Sequence, residues 1–309
     1  MRLTGNLLYT VVQKIFRLLG RVPPALAETC SAVLGSLFYA LARKHRKIAI
    51  DNLSMAFGEV KSPDEIVAIA RQVFINLVRI VFEYSRAWQW DDRQLAQQIS
   101  IRGLEEIRRA NAKGKGVILL GAHFGNWELL PMVVHMAGVT MGIVYRAMDS
   151  PVLDMLFMEI RSRHGNILIP NQRGAMRRLY KTLKRGNAVG LLMDQGVDFD
   201  DGFFADFFNQ RAATATGPAI LALKSQAPVV PLFIIRRSRG FQAVFGPELP
   251  LIQTGDRTKD IEENTQLYNH VIEAYVRRFP DQWFWVHQRW INLPFCPWPR
   301  TNPRVSNRY

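Results

Sequence analysis

The chain is poor in cysteine: its 309 residues include two, Cys30 and Cys296. They lie far apart and lack the paired spacing of zinc ligands. This argues against a disulfide framework or a structural zinc site and fits a reducing compartment. Acidic residues are also scarce, with 26 Asp and Glu against 40 Lys and Arg, a formal charge of +14. An excess of that size points to a polyanionic partner: nucleic acid, an anionic membrane face or an acidic protein. The basic residues are spread along the chain with no zinc-finger spacing, RNP-like strand or helix-turn-helix, so nucleic acid is not expected. A P-loop, a Gly-x-Gly-x-x-Gly fingerprint, a His-Glu-x-x-His zinc element and a Gly-x-Ser-x-Gly nucleophile elbow are all missing. Asp198, Asp200 and Asp201 suggest a calcium loop, but Gly202 comes one position early and Asn209 stands where the closing glutamate belongs. The stretch reads as an acidic surface loop.

Long clean apolar runs are missing too. The first stretch carries Lys14 and Arg17, and the run 25–42 carries Glu28, so neither reaches the roughly 20 uninterrupted apolar residues of a membrane span. A secretory leader does not fit these charges. Leu7, Leu8, Val11, Val12, Ile15, Leu18 and Leu19 recur at helical spacing among Arg2, Lys14, Arg17 and Arg21. That pattern builds a helix lying in a membrane interface, or one packed on the protein's own core. Residues 1–42 are therefore assigned to a membrane-associating helical segment, with a single span across 25–42 as the alternative.

Residues 43–309 form the second unit, mainly helical over 43–114 and α/β over 115–309. Ser62-Pro63-Asp64-Glu65 supplies a helix start, with a serine cap, a first-turn proline and two acids near the positive helix end. No strand pattern precedes about residue 115. Short apolar runs bounded by turn residues then follow at 116–121, 142–145, 167–169, 188–193, 229–235 and 241–245. Helical patterns at 151–164 and 175–185 lie between them, and a last one covers 261–279. Alternation of this kind implies an α/β fold with a largely parallel central sheet flanked by helices.

The local signal that carries chemistry is GAHFGNWE at 121–128. It follows the first buried strand, and catalytic groups gather at the carboxyl ends of strands in open α/β sheets. His123 emerges there. Glu128, five residues on and past a Gly-Asn break, is placed to reach back and hold one ring nitrogen, which fixes the tautomer and frees the other nitrogen to take a proton. By itself the pair is better read as a structural histidine near a glutamate.

HFGNWE resembles the His-x4-Asp/Glu element of glycerolipid acyltransferases, in the form used by the bacterial lipid A late acyltransferase family of lauroyl and myristoyl transferases. Further similarities follow in the family's order. They are Arg43-Lys44-His45-Arg46 with Asn52-Leu53, Val144-Tyr145-Arg146, Arg161-x-Arg163-x-Gly165 and Asp194-Gln195. Phe207-Phe208 with Ala213-Thr214-x-Thr216-Gly217 and the run from Pro280 through Trp283-Phe284-Trp285 to His287 complete the series. The likeness covers nearly the whole chain. It departs after His287, where the family continues with basic residues and this chain has Gln288-Arg289-Trp290-Ile291-Asn292-Leu293-Pro294.

The resemblance implies transfer of a fatty acyl group from acyl carrier protein or acyl-CoA to a hydroxyl of a lipid acceptor, most simply a lipid A precursor. The departure after His287 leaves another glycolipid or an amino-acid lipid open as acceptor. His123 becomes the general base and Glu128 its orienting partner. Arg161 is the first oxyanion candidate and Arg146 a phosphate-binding one. Asp194 either holds one of those arginines or caps the next turn. Thr214 and Thr216 cap a helix start that faces a phosphate, or cap it for stability alone. The chemistry requires no metal or bound cofactor. The expected place is the cytoplasmic face of the cell inner membrane, where soluble donors are made. A hydrolase using the same pair and a membrane-binding protein without catalysis are the rival readings.

Overall fold

Ser62 closes a capping box with Glu65, and from it runs the longest helix among the described residues. The computed structural model describes residues 2–197 and 202–290, with side chains from residue 7 onward. The Arg2 side chain, the acidic stretch 198–201, Cys296 and the chain beyond Trp290 lie outside the described residues. Four helices come first: α1 (Arg2–Arg21), α2 (Pro24–Leu41), α3 (Arg43–Phe57) and α4 (Pro63–Ala87). There follow α5 (Asp92–Gln98), β1 (Ile99–Arg102), α6 (Leu104–Asn111), β2 (Val117–Gly121), α7 (Leu130–Met136), β3 (Met141–Tyr145) and α8 (Pro151–Ser162). Then come β4 (Ile167–Pro170), α9 (Ala175–Lys184), β5 (Ala188–Leu192), β6 (Gly202–Phe207), β7 (Gln210–Ala215), α10 (Gly217–Ser225), β8 (Val229–Arg236), β9 (Phe241–Phe245) and α11 (Arg257–Arg278).

Seven strands form the central sheet in the order β1-β9-β8-β2-β5-β3-β4. The strands from β8 to β4 run parallel, while β9 pairs antiparallel with β8 and β1 lies parallel to β9 at the edge. The α/β architecture expected from the alternating runs is therefore present, with a reversed pair on one side. Two elements escaped the sequence pattern. β1 has four residues and lies before residue 115, too short for its alternation to stand out. The hairpin β6–β7 takes up segments read as loop, because Ala212, Ala213 and Ala215 carry little strand propensity.

Alternation along the strands divides the interior into two cores. Ile118, Leu120 and Val189 face a layer with α3, part of α4, α9, α10 and α11. Val117, Leu119, Met141 and Leu232 face the other way, against α6, α7 and α8 and the end of α4. The N-terminal helices join both layers. Phe16 of α1 is buried with Tyr84 and Trp88, and Leu53 and Phe57 of α3 lie in the opposite core.

α1 is apolar on two sides. Tyr9, Val12 and Phe16 pack inward, while Leu7, Leu8, Val11, Ile15 and Leu18 are exposed. Both proposed settings of this helix, a polar-apolar interface and the protein's own core, thus have a face to serve. α2 repeats the arrangement, with Ala27, Ser31 and Gly35 buried and Leu26, Val33, Leu34, Leu37 and Leu41 exposed. Among the described residues it is the one helix long and apolar enough to cross a membrane, with mean hydropathy 1.3. Gly35 sets its approach to α4: a Cβ there would stand 2.4 Å from the Ile75 Cα. Gly35→Ala is expected to push α2 off α4, lowering the thermal midpoint and exposing 24–41 to early cleavage in limited proteolysis read by mass spectrometry.

Candidate active site

Strands β2 and β5 are neighbours in parallel register, with Gly121 beside Leu192. Two residues beyond each partner, the chains bring His123 and Asp194 abreast at the carboxyl edge of the sheet. Asp194 accepts the His123 backbone N–H at 3.0 Å through Oδ2, and its Oδ1 lies 2.8 Å from His123 Nδ1. The indole N–H of Trp283 donates to the same carboxylate at 2.8 Å. Asp194 is only 2% exposed. Burial alone would push its carboxyl up, but the His123 ring, the Trp283 indole and the His123 amide together bring it below its ordinary value. For His123 burial likewise works against the charged form, yet the Asp194 carboxylate beside it prevails, with Glu128 adding, and the imidazole ends above its ordinary value. With Asp194 ionised, Nδ1 carries the proton donated to it, and Nε2 is the nitrogen left with a lone pair.

Glu128 does not supply the bond to the imidazole that its spacing suggested. Gly125 has φ +61°, where an added Cβ would sit 1.9 Å from the Ile234 carbonyl oxygen. The chain bends there into a short 3-10 turn, Trp127–Leu129. Glu128 is carried toward α8 and grips Arg161 in a two-pronged ion pair, Nε to Oε2 at 3.0 Å and Nη2 to Oε1 at 2.5 Å. Both groups are largely buried. Burial opposes the Arg161 charge, but Glu128 more than restores it. Tyr84 lies beside this pair, and burial, aided by Glu128, holds its phenol well above the ordinary value. The sequence offers Asp194 as a holder of arginine or a turn cap and Glu128 as a holder of histidine; in the structure Asp194 holds the histidine and Glu128 the arginine.

His123, Glu128 and Arg161 line one cavity of about 400 Å³. Its walls are otherwise mostly apolar: Leu119, Leu130, Met141, Ile143, Leu192 and Leu232 come from four adjacent strands and from α7. Arg146 stands exposed at this cavity with no hydrogen bond or ion pair among the described residues. Thr214 is elsewhere. It is fully buried in β7, where its hydroxyl accepts from Arg289 Nη2 at 2.7 Å and from Asn269. Neither threonine caps α10: Thr216 sits at the N-cap position without a side-chain capping bond. Among the described residues, the side chains able together to hold a metal ion are Asp92, His135 and His164, whose ligand atoms lie within 4.8 Å of one another. None of them lines the cavity.

Two supports were not visible from sequence. The segment after α11 crosses the strand ends and pins the motif: Gly125 N–H donates to Gln282 O, and Phe284 N–H to His123 O. That segment is itself held from the N-terminal helices, by Asn52 to the Trp285 and His287 carbonyls and by Asn76 to the Asp281 carbonyl. Arg289, 1% exposed, donates to Ala213 O and Thr214 beneath it, and burial pulls its guanidinium down to about 10. A second anchor is Glu83 of α4, which accepts from Asn126 of the motif at 2.9 Å and pairs with Arg236. The Asp-Gln pair after a strand was the one sequence signal for the Asp194 contact, and only the register between β2 and β5 converts it into a partner.

Comparison with known proteins now adds to this geometry. The sequence profile of the bacterial lipid A biosynthesis acyltransferases matches residues 2–292. The lipid A biosynthesis lauroyltransferase of Escherichia coli (strain K12) is 29% identical over 265 residues, covering 84% of each chain. The palmitoleoyltransferase of the same strain is 26% identical over 264 residues, 84% of this chain and 83% of its own. A phosphatidylinositol mannoside acyltransferase of Mycobacterium tuberculosis is 24% identical over 234 residues, 74% of this chain and 71% of its own.

Replacing Asp194 by Asn removes the charge that outweighs burial at His123. The imidazole pKa, followed by NMR of the labelled ring, should fall from above its ordinary value to below it. A titration unchanged by Asp194→Asn would remove the carboxylate as the cause of the shift.

Proposed function

The chain belongs to the family of bacterial lipid A biosynthesis acyltransferases, and from that premise we propose that it esterifies a hydroxyl of a lipid A precursor by general-base catalysis at His123. The observation that carries this is an imidazole held through Nδ1 by a buried carboxylate, on a histidine that lines an apolar cavity together with a fixed arginine. Nε2 takes the proton of the acceptor hydroxyl as its oxygen attacks the thioester carbonyl. Asp194 stabilises the imidazolium that forms. The carbonyl electrons move onto oxygen, where Arg161 supplies charge-assisted donors; Glu128 is the positioning residue that aims them. When the carbonyl re-forms, the C–S bond breaks and the thiolate leaves with the proton from His123. The products are the ester and the free thiol of the carrier.

The apolar walls suit the acyl chain, and Arg146 at the mouth suits a phosphate of donor or acceptor. Acyl carrier protein is the preferred donor, since an acidic protein complements a chain of charge +14. Acyl-CoA, also anionic, is the alternative. The exposed apolar faces of α1 and α2 among basic residues support attachment to the cytoplasmic face of the inner membrane. A second reading, transfer to another glycolipid or to an amino-acid lipid, is favoured by the departure from the family pattern after His287, where Gln288 and Trp290 flank the buried Arg289, and its glycolipid form by the similarity to the mycobacterial mannoside acyltransferase.

The test is acyl transfer by purified protein from labelled acyl carrier protein or acyl-CoA to a panel of lipid acceptors. His123→Ala should lower kcat about 10³-fold, within the usual range for a general base. Arg161→Ala or Glu128→Gln should lower kcat by about 10²-fold, as for loss of one oxyanion donor. Transfer to no lipid, or mutants equal to wild type, would sink the reading.

The pH profile has a defined sign. Neutral imidazole is the active form, so kcat/KM should fall as pH drops through the raised pKa of His123, above the ordinary imidazole value, and Asp194→Asn should shift that limb to lower pH.

A further inference from the structure

A second cavity, of about 420 Å³, opens between the first turns of α2, the middle of α4 and the turn joining β8 to β9. Five arginines line it (Arg79, Arg86, Arg236, Arg237 and Arg239) against two carboxylates, Glu28 and Glu83. The carboxylates are already engaged, Glu28 with Arg79 and Glu83 with Arg236. Arg86 donates to the Gly20 and Val22 carbonyls, and Arg237 to Gln242. That leaves donors without acceptors. Among the described residues Arg239 is exposed with no partner, and the Nη1 of Arg236 is buried without one. A buried guanidinium N–H that meets no acceptor is costly, and a phosphate oxygen matches its geometry. Arg79 registers the same imbalance: burial, and next the nearby Arg236 charge, hold it below its ordinary value.

The position narrows the source of the anion. α2 turns Pro24, Ala27, Glu28 and Ser31 of its first turns to this cavity, and its exposed apolar face carries Leu26, Leu34, Leu37 and Leu41. A lipid lying along that apolar face would have its headgroup at the depth of the arginines. The cavity also adjoins the catalytic motif. Arg236 ends β8, which runs parallel to β2, and is therefore on the same sheet edge as His123. Glu83 joins Arg236 to Asn126 of that motif.

We propose that this arginine-lined cavity binds a phosphate group carried by a lipid, either the acyl acceptor itself or an anionic phospholipid of the surrounding membrane. The acceptor alternative rests on the acyltransfer reading; phosphate binding as such does not.

The test uses full-length protein and binding measurements, which report on the site whether or not acyl transfer occurs. Arg237 and Arg239 are exposed, so Arg237→Ala with Arg239→Ala should fold. Lys181→Ala with Lys184→Ala, on the exposed face of α9, removes the same charge elsewhere. Retention on phosphatidylglycerol vesicles over phosphatidylcholine vesicles is one arm. Affinity for a phosphorylated lipid A precursor in neutral detergent micelles, against its phosphatase-treated form, is the other.

Loss of vesicle retention about fivefold beyond the lysine control identifies the membrane phospholipid. A tenfold weaker Kd confined to the phosphorylated precursor, about 1.4 kcal/mol, identifies the acceptor. Equal losses in the arginine and lysine variants, or no loss in either arm, overturn the proposal. Inorganic phosphate that raises the thermal midpoint of wild type alone, with both lipid arms unmoved, also overturns the assignment to a lipid.

Discussion

The carboxylate of Asp194 is the point on which the rest of the site depends. It is buried, charged, and bonded at once to the backbone and ring of His123 and to the indole of Trp283. A buried carboxylate is tolerable only when donors surround it, so the cost of its burial is also what holds those three donors in place. Two adjacent parallel strands in fixed register bring the first two donors to it. The third comes from a segment 89 residues further along the chain. Ring orientation, tautomer and the direction of the free nitrogen all follow from this one group.

Much of the fold was legible because parallel strands buried on both faces read as short apolar runs between helical patterns. His123 was legible as a site candidate because a strand end followed by Gly-Asn places it at the sheet's carboxyl edge. What escaped depends on distance in sequence. Glu128 looked like the partner of His123 because the two are five residues apart, yet the bend at Gly125 sends it to Arg161. Asp194 looked remote because strand order was unknown: β2 and β5 are neighbours in the sheet but separated by two other strands in the chain. Thr214 stood in a segment read as the approach to a helix, and its hydroxyl serves Arg289 instead. The hairpin was hidden by alanines, which carry little signal of either period.

Charge follows the same division between local and distant. The excess of basic residues is visible in composition, but its use depends on which cations find carboxylates. Arg161 and Arg236 are each clasped by an acid from another element, and those acids, Glu128 and Glu83, flank the motif from two sides. Among the described residues Arg146 and Arg239 are left with none, and each of the two lines a cavity.

The crossing segment has a consequence in time. Its Trp283 bonds the carboxylate that orients His123, and its backbone is held by Asn52 and Asn76 from helices made far earlier. During synthesis α1 and α2, with their outward apolar faces, emerge well before the residues that complete the histidine's surroundings. A chain still attached to the ribosome therefore presents those apolar faces while His123 lacks the backbone partner and Asp194 lacks the indole that the crossing segment brings.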